Sequence, residues 1–217
     1  MRKYAVVSPE DIEKIHENTL KIMDEIGIEM PYDHAKELLA KHGARVEGDR
    51  VLFPREMVEA AIKSAPSSFT WYSRNPAKNL LVSTETTVYG GPNCPPFTTD
   101  LDRGRRSGTL GDYIEIVKIL DTLENIDFAA HMSCEPTDVP VNDRPLAMVF
   151  NAMKFSEKPT MGSSIGYENA MECIELASIP FGGLDAIKHK PVIASIPCTL
   201  TPLSYATHDL GAIRAYA

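Results

Sequence analysis

The spacing of apolar residues near the amino end of the chain predicts an amphipathic helix. Ser8 suits the N-cap position and Pro9 the first helical position, and Gly27 ends the pattern. The residues that fall largely on one face of this helix are Ile12, Ile15, Leu20, Ile22, Met23 and Ile26. The segments that follow are predicted as helices from Asp33 and from Pro54, a hairpin over 45–53 that turns at Gly48-Asp49, and a strand pair at 69–72 and 80–82. Residues 1–85 are therefore expected to form an α+β cap.

From residue 86 the pattern changes to strands that alternate with helices. The predicted strands are 86–89, 126–133, 159–165 and 191–199, and the predicted helices are 109–123, 142–156, 168–179 and one from Ser204 onward. Strands separated by helices indicate a parallel sheet with right-handed crossovers. Polar, proline-rich and glycine-rich segments follow the strand ends, as they do at the mouth of a (β/α)8 barrel. Residues 86–217 are therefore predicted to be the first half of such a TIM-type barrel, in the α/β class.

These β–α units make only half a barrel, and the last predicted helix runs to Ala217. We therefore expect the sequence to be the N-terminal part of a longer chain. A half barrel leaves two unpaired strand edges that promote association, so a homo-oligomer is also expected. The alternative is a complete four-stranded α/β sandwich, which a monomer with cooperative unfolding would favour.

Net charge and cysteine use limit the partners and the compartment. The formal net charge of −8 makes nucleic acid and anionic membrane surfaces unfavourable partners. The 4 cysteines include no CxxC pair, and the apolar run after Met1-Arg2-Lys3 is too short for a secretory signal. No apolar run reaches the roughly 18 residues of a membrane helix. These features indicate a cytoplasmic protein with free thiols.

The alternation of side chains along the strands gives a set of polar residues for the barrel mouth. With the bulkier apolar side chains facing the helices, this set consists of Asn93, His131, Ser133, Glu135, Ser164 and Thr199. Each residue is a candidate for substrate binding, and the alternative is a polar residue that satisfies backbone groups at a strand end. Tyr89 and Phe97 are added because the faces of aromatic rings bind quaternary ammonium ions.

His131 and Glu135 are the candidates for acid–base chemistry, although a single histidine on a strand also fits a hydrogen-bonded core residue. Cys94, Cys134 and Cys198 lie near strand ends, where a zinc site is conceivable. Alternation turns Cys134 and Cys198 toward the helices, so no metal site is predicted.

The segment from Asp100 to Arg106 is predicted to be a charged loop. Its cations are Arg103, Arg105 and Arg106, and they have three possible roles. They would bind an anion, pair with Asp100 and Asp102, or form a docking edge for a partner, and pairing within the loop is the favoured interpretation. The sequence contains no glycine-rich phosphate-binding motif and no visible Ser/His/Asp arrangement.

Several short motifs occur in an order and spacing typical of one family. They are Tyr89-Gly90-Gly91-Pro92 with a following Pro-Phe, the charged loop that ends at Arg105-Arg106, Gly108-Thr109-Leu110 before an Asp, Leu123-Glu124-Asn125-Ile126-Asp127-Phe128, and Pro202-Leu203-Ser204-Tyr205. Two N-terminal segments are similar too, Phe53-Pro54-Arg55-Glu56 and Ala65-Pro66-Ser67-Ser68-Phe69. Across essentially its whole length, the chain resembles the trimethylamine–corrinoid methyltransferase family.

This resemblance implies a (β/α)8 barrel that transfers a methyl group from a methylated amine to the cobalt of a corrinoid. A separate protein would supply that corrinoid, a cobalamin, and dock over the barrel mouth, so no tightly bound cofactor is expected. Trimethylamine enzymes of the family carry pyrrolysine in the second half of the barrel. Relatives without it are thought to act on quaternary amines such as glycine betaine. The position that separates these subgroups would lie beyond Ala217, so no catalytic residue is carried over.

Two other functions stay open. One is a non-catalytic fragment that keeps only the partner-docking surface. The other is an unrelated barrel lyase or hydrolase, which would need a metal ion or a Schiff-base lysine. The lysines considered for that role, Lys154, Lys158, Lys188 and Lys190, lie in predicted helices or before strands, on the side of a barrel that serves stability.

Overall fold

The structure is a computed structural model that describes residues 6–93, 95–129 and 132–217. Its α-helices, in chain order, are α1 (Pro9–Lys21), α2 (Asp33–Lys41), α3 (Arg55–Ser64), α4 (Leu110–Thr122), α5 (Arg144–Phe155), α6 (Tyr167–Ser178), α7 (Leu184–Ile187) and α8 (Thr207–Tyr216). Its strands are β1 (Ile28–Glu29), β2 (Arg45–Glu47), β3 (Arg50–Leu52), β4 (Ser68–Trp71), β5 (Leu80–Ser83), β6 (Phe97–Asp100), β7 (Gly104–Ser107), β8 (Thr160–Met161), β9 (Ile193–Ala194), β10 (Thr199–Leu200) and β11 (Ser204–Tyr205). The fold is mixed α/β with several small sheets.

Two compact units divide the described chain. The first comprises the described residues up to Pro66 together with Cys198–Leu210, and the second comprises Ser67–Pro197 with Gly211–Ala217. The expected boundary after residue 85 lies inside the second unit, and the assignment of a cap and a half barrel stays a prediction. Over the ranges that the structure describes, no helix is both long enough and apolar enough to cross a membrane.

A five-stranded sheet organises the first unit, in the order β10-β11-β1-β3-β2. The predicted hairpin forms β2 and β3, with Val46 opposite Val51, and the predicted cap of α1 is confirmed by a hydrogen bond from the Asp11 amide to the Ser8 hydroxyl. The core residues of this unit are Met30, Ala44, Val51, Phe53 and Leu210. The helix predicted from Ser204 begins later, at Thr207, because Ser204 pairs with Glu29 in the sheet.

In the second unit, parallel pairing joins backbone segments in chain order. Gly90 bridges Phe128, Ala129 bridges Thr160, and β8 pairs with β9. We call these segments the parallel array. Its amino edge is formed by the residues that enter it, Tyr89, Asp127, Pro159 and Pro191, and its carboxyl edge by those that follow it, Asn93, Ser133–Glu135, Ser163–Ser164 and Ser195. The predicted parallel order of these segments is confirmed.

The helices of the second unit pack through a buried cluster next to the parallel array. Its members are Tyr113, Val117, Cys134, Met148 and Ala152, from α4, α5 and the carboxyl edge. The Tyr113 hydroxyl donates a hydrogen bond to the Met148 carbonyl oxygen at 3.0 Å, so the one polar atom of this large side chain is satisfied. Cys134 lies on the helix side, as alternation predicts.

Two predicted strands differ from the structure. Residues 86–89 form no strand, because the Thr86 hydroxyl turns back and donates to the Leu81 carbonyl oxygen at 3.1 Å, and pairing starts only at Gly90. The strand predicted over 191–199 divides into β9 and β10, which belong to different sheets. Pro197 lies between them and has no N–H to donate to a continuous ladder.

The charged segment Asp100–Arg106 is also not the loop that the sequence predicts. It belongs to an antiparallel hairpin in which β6 pairs with β7, with Thr99 opposite Arg105. The turn is stabilised by the Asp100 carboxylate, which accepts hydrogen bonds from the amides of Asp102 and Arg103 at 3.1 and 2.7 Å. Gly104 follows with φ of 65°, a conformation that glycine adopts without strain.

The connection between β4 and β5, which pair as an antiparallel hairpin, passes along the amino edge. The Trp71 ring lies 5.1 Å from the Phe128 ring between centroids, and the Tyr72 amide donates to the Pro191 carbonyl oxygen at 2.8 Å. Asn75 then donates to the Glu157 carboxylate at 2.8 Å, just before β8. This segment therefore crosses part of the amino edge, while Tyr89 at the same edge stays 59% exposed.

Candidate active site

The carboxyl edge brings together several of the polar residues that the sequence singles out. The Ser195 hydroxyl donates to the Ser163 carbonyl oxygen at 3.2 Å, which links the ends of the third and fourth segments. The Glu135 amide donates to the Pro95 carbonyl oxygen at 3.2 Å, which joins the second segment to the loop that follows the first. Backbone and hydroxyl hydrogen bonds thus fix the shape of this edge.

Gly108 allows the chain after the β6–β7 hairpin to approach this edge closely. A Cβ atom at Gly108 would lie 2.1 Å from the Cys134 sulfur and 2.7 Å from the Glu135 carbonyl oxygen. The Gly108 carbonyl oxygen in turn accepts hydrogen bonds from the amide and the hydroxyl of Thr137, at 2.9 and 2.8 Å. Only glycine fits at this contact between the hairpin and the carboxyl edge.

Glu135 forms an ion pair with Arg144 at the start of α5. Their N–O distance is 2.5 Å, and their side chains retain 31% and 17% exposure. Arg144 also donates to the Val139 carbonyl oxygen at 2.8 Å, so its guanidinium is held from two sides. A partly exposed carboxylate and a fixed cation therefore lie side by side at the carboxyl edge.

The remaining predicted site residues lie in different places. Ser133 is fully buried, Ser164 is partly buried, and Asn93 is exposed, all at the carboxyl edge. His131 lies outside the described residues, as does Cys94. Thr199 belongs to β10 of the first unit, where it pairs with Tyr205, so it does not follow the fourth segment as predicted.

Tyr89 lies at the amino edge rather than at the carboxyl edge. Its amide donates to the Asp127 carboxylate at 2.8 Å, and its carbonyl oxygen accepts from the Asp127 amide at 2.7 Å. Because pairing begins at Gly90, Tyr89 enters the parallel array and does not leave it. The structure therefore does not group Tyr89 with Ser133 and Glu135.

Two of the three arginines predicted for docking pair within the hairpin region. Arg106 contacts the Asp100 carboxylate at 2.7 Å and also pairs with Asp112, while Arg103 contacts Asp100 at 2.8 Å. Self-pairing is thus observed, with Asp112 as the second carboxylate in place of the predicted Asp102. Arg105 lies 4.0 Å from the centroid of the Phe97 ring, in a cation–π arrangement.

Asp112 is not among the site residues that the sequence predicts, although it is the Asp that follows Gly108-Thr109-Leu110 in the family motif. It is buried and forms a capping box with Thr109, whose amide and hydroxyl donate to its carboxylate at 3.0 and 2.8 Å. Burial raises the pKa of Asp112, but the hydrogen bonds from Thr109 and the charge of Arg106 outweigh it and hold that pKa below its usual value. The Thr-x-x-Asp motif before an apolar run is the signal that identifies it.

The cysteines offer no metal centre among the residues that the structure describes. No group of three or more His, Cys, Asp or Glu side chains has the arrangement of a metal site there. Cys134 and Cys173 are buried free thiols, and burial raises the pKa of both. Neither has the low pKa of a reactive thiolate.

Comparison with known proteins gives a consistent result. The chain is 42% identical to the glycine betaine methyltransferase of Desulfitobacterium hafniense (strain Y51), over 99% of this chain and 45% of that protein. It is 27% identical to the proline betaine:corrinoid methyltransferase of Eubacterium limosum, over 95% of this chain and 44% of that protein. It is 26% identical to the trimethylamine methyltransferase MttB of Desulfitobacterium hafniense (strain DSM 10664 / DCB-2), over 93% of this chain and 41% of that protein.

The chain spans less than half the length of these relatives, since it covers between 41% and 45% of them. The family model described as trimethylamine methyltransferase (MTTB) matches residues 1–217. This match spans the whole of the chain, and the chain therefore belongs to the trimethylamine methyltransferase family.

Proposed function

We propose that the chain is the N-terminal part of a methyltransferase that moves a methyl group from glycine betaine to the cobalt of a corrinoid. The observation that carries this proposal is the 42% identity to a glycine betaine methyltransferase over 99% of the chain. The word corrinoid in the name of the proline betaine relative supports a corrinoid as methyl acceptor. A separate protein would carry that corrinoid to the site.

The parallel array supports a barrel as the scaffold for this reaction. We take the four segments in chain order to be part of a (β/α)8 barrel, in which the active site lies at the carboxyl ends of the strands. The segment from Trp71 to Asn75 crosses part of the amino edge, which is the side of such a barrel that serves stability. Asn93, Ser133 and Ser164 are the polar residues that we assign to the site at the carboxyl edge, together with Glu135.

The charges at the carboxyl edge suit a betaine. Glycine betaine carries a quaternary ammonium group and a carboxylate, and the pair of Glu135 and Arg144 presents one charge of each sign 2.5 Å apart. A quaternary nitrogen has no N–H to donate, so a nearby negative charge binds it without a hydrogen bond. In this proposal Glu135 attracts the ammonium group and Arg144 attracts the carboxylate.

The transfer step itself is a displacement at the methyl carbon. The bond from nitrogen to that carbon breaks, its electron pair stays on nitrogen, and the carbon bonds to a reduced cobalt that supplies the new pair. The positive charge on nitrogen is lost as the tertiary amine leaves. Residues of this chain would orient the ammonium group and exclude water, because the cofactor supplies the difficult chemistry.

The direct test is methyl transfer with free reduced cobalamin as acceptor. The purified chain is incubated with glycine betaine, proline betaine or trimethylamine, and methylcobalamin formation is followed by absorbance. The same assay is applied to any product of the reading frame extended beyond the Ala217 codon. We expect the extended protein to prefer glycine betaine.

Transfer with trimethylamine and not with glycine betaine would contradict the substrate assignment. A stop codon directly after Ala217, together with no transfer and no binding of any amine, would favour the non-catalytic fragment. Stoichiometric zinc or a lysine adduct in the active protein would favour the unrelated lyase or hydrolase.

A further inference from the structure

An apolar groove runs along the solvent-facing side of α5 and α6 in the second unit. Phe150 lies at its centre and is 50% exposed, with Leu146 at 38% and Ile179 at 68% exposure beside it. Single apolar residues on a surface are ordinary, but a continuous apolar patch with a polar rim marks an interaction site. The packing of α5 against α6 leaves this patch uncovered.

The two ends of the groove carry opposite charges. Lys154 and Arg74 line one end, and Asp143 and Glu172 line the other. Asp143 occupies the residue position before α5 and Lys154 lies in the last turn of that helix, so the ends are roughly 16 Å apart at about 1.5 Å per residue. All four side chains are exposed.

The cation at one end is held in place over the apolar floor. The Lys154 ammonium lies 5.8 Å from the centroid of the Phe150 ring and 5.2 Å from that of Phe155. Contact with two aromatic faces positions this charge at the groove rather than in bulk solvent. The charge is therefore available to an acidic group that approaches along the groove.

From this arrangement we infer that the groove is the surface through which two copies of the chain associate. In a twofold contact the grooves of the two copies run in opposite directions, so the basic end of one groove faces the acidic end of the other. Phe150 of one copy then packs near Phe150 of the other at the axis. Lys154 of each copy faces Glu172 of the partner copy, so every charged end gains a counter-charge.

A second copy fits this groove better than a partner with charge of one sign. An acidic partner would repel Asp143 and Glu172 at one end of the groove. A basic partner would repel Lys154 and Arg74 at the other end. The inference is independent of the proposed catalytic activity, because none of these residues belongs to the carboxyl edge.

The first experiment measures, by sedimentation across micromolar concentrations, the mass of the protein made from the complete reading frame that contains these 217 residues. We expect a dimer that Phe150→Glu weakens at least tenfold in dissociation constant, since it places two charges at the apolar axis. Ile119→Glu is the matched control, because Ile119 is 58% exposed on α4 and does not line the groove. A monomeric wild-type chain, or a dimer that survives Phe150→Glu, would overturn the inference.

A charge exchange tests the direction of the contact. Lys154→Glu and Glu172→Lys should each weaken the dimer, while a mixture of the two single variants and the doubly substituted chain should both restore it. Circular dichroism verifies that each variant is folded. Failure of both the mixture and the double variant to restore association would show that these ends do not face each other.

Discussion

The Nζ atom of Lys158 lies 2.6 Å from the carbonyl oxygen of Leu120 and donates a hydrogen bond to it. A second hydrogen bond, of 2.7 Å, goes to the carbonyl oxygen of Leu123. These two oxygens also accept backbone hydrogen bonds, from the Leu123 amide at 3.3 Å and the Ile126 amide at 3.2 Å. Lys158 is the second donor to each of them and caps α4 from outside the helix. Burial lowers the pKa of Lys158, but its amine is committed to this cap and not to covalent chemistry.

Lys158→Met should therefore destabilise the fold. The substitution keeps most of the apolar stem and removes the charged donor from two carbonyl oxygens, at a cost of about 1–3 kcal/mol in the free energy of unfolding. Urea denaturation followed by circular dichroism measures it. Lys188→Met is the control, since Lys188 is 68% exposed and should change stability by less than about 0.5 kcal/mol. Equal effects of the two changes would contradict the capping role.

Two glycines near the start of α4 should respond to alanine in opposite ways. Gly108→Ala forces a Cβ atom against the Cys134 sulfur and the Glu135 backbone, so we expect a loss of several kcal/mol or no folding at all. The nearest atom to a Cβ at Gly111 is 3.6 Å away, so Gly111→Ala should stabilise the helix by about 0.5–1 kcal/mol. Thermal unfolding of both variants gives the comparison, and a harmless Gly108→Ala would disprove the close approach.

The Asp112 network should make stability depend on acid pH. Because the folded state holds the pKa of Asp112 below 3.8, the stabilisation is complete above that value and is lost as pH falls through the lower folded pKa. Asp112→Asn should lower stability at neutral pH and flatten the slope below about pH 4. Urea midpoints across that range test this, with Asp102→Asn as control. An unchanged slope in Asp112→Asn would assign the dependence to other carboxylates.

The ion pair at the carboxyl edge should govern betaine affinity if the proposed function holds. Arg144→Gln and Glu135→Gln should each raise the KM for glycine betaine at least tenfold in the complete enzyme, with a smaller change in kcat, because both charges serve binding. Arg45→Gln is the control, since Arg45 pairs with Asp24 in the first unit. Steady-state methyl transfer gives both constants. A variant with unchanged KM would remove its residue from the substrate site.

Local signals in the sequence predict much of the fold. The Ser8 cap, the Gly48-Asp49 turn and the Thr109 helix start depend on neighbouring residues, and the structure confirms all three. The β6–β7 hairpin was missed because its charged side chains look like a solvated loop until Asp100 and Asp112 neutralise them. Thr199 was misplaced because the change of sheet after Pro197 is a tertiary effect, which periodicity cannot reveal.

The sequence predicts only part of the candidate site, again because the other contacts depend on the tertiary fold. Glu135 follows from strand alternation, whereas its partner Arg144 lies nine residues further on, across a change of chain direction that spacing does not encode. Asp112 carries a local signal in its capping motif, but its contacts with Arg103 and Arg106 depend on the fold of the hairpin.

The placement of the proposed site at the carboxyl edge has a consequence for the order of events in turnover. If the proposed function holds, a small amine and the large protein that carries the corrinoid would both reach the site from this one edge. The amine would then bind before the corrinoid protein docks, and the demethylated product would leave after that protein dissociates. The turnover rate of such an enzyme would then depend on how fast the corrinoid protein docks and dissociates as much as on how fast the carbon–nitrogen bond breaks.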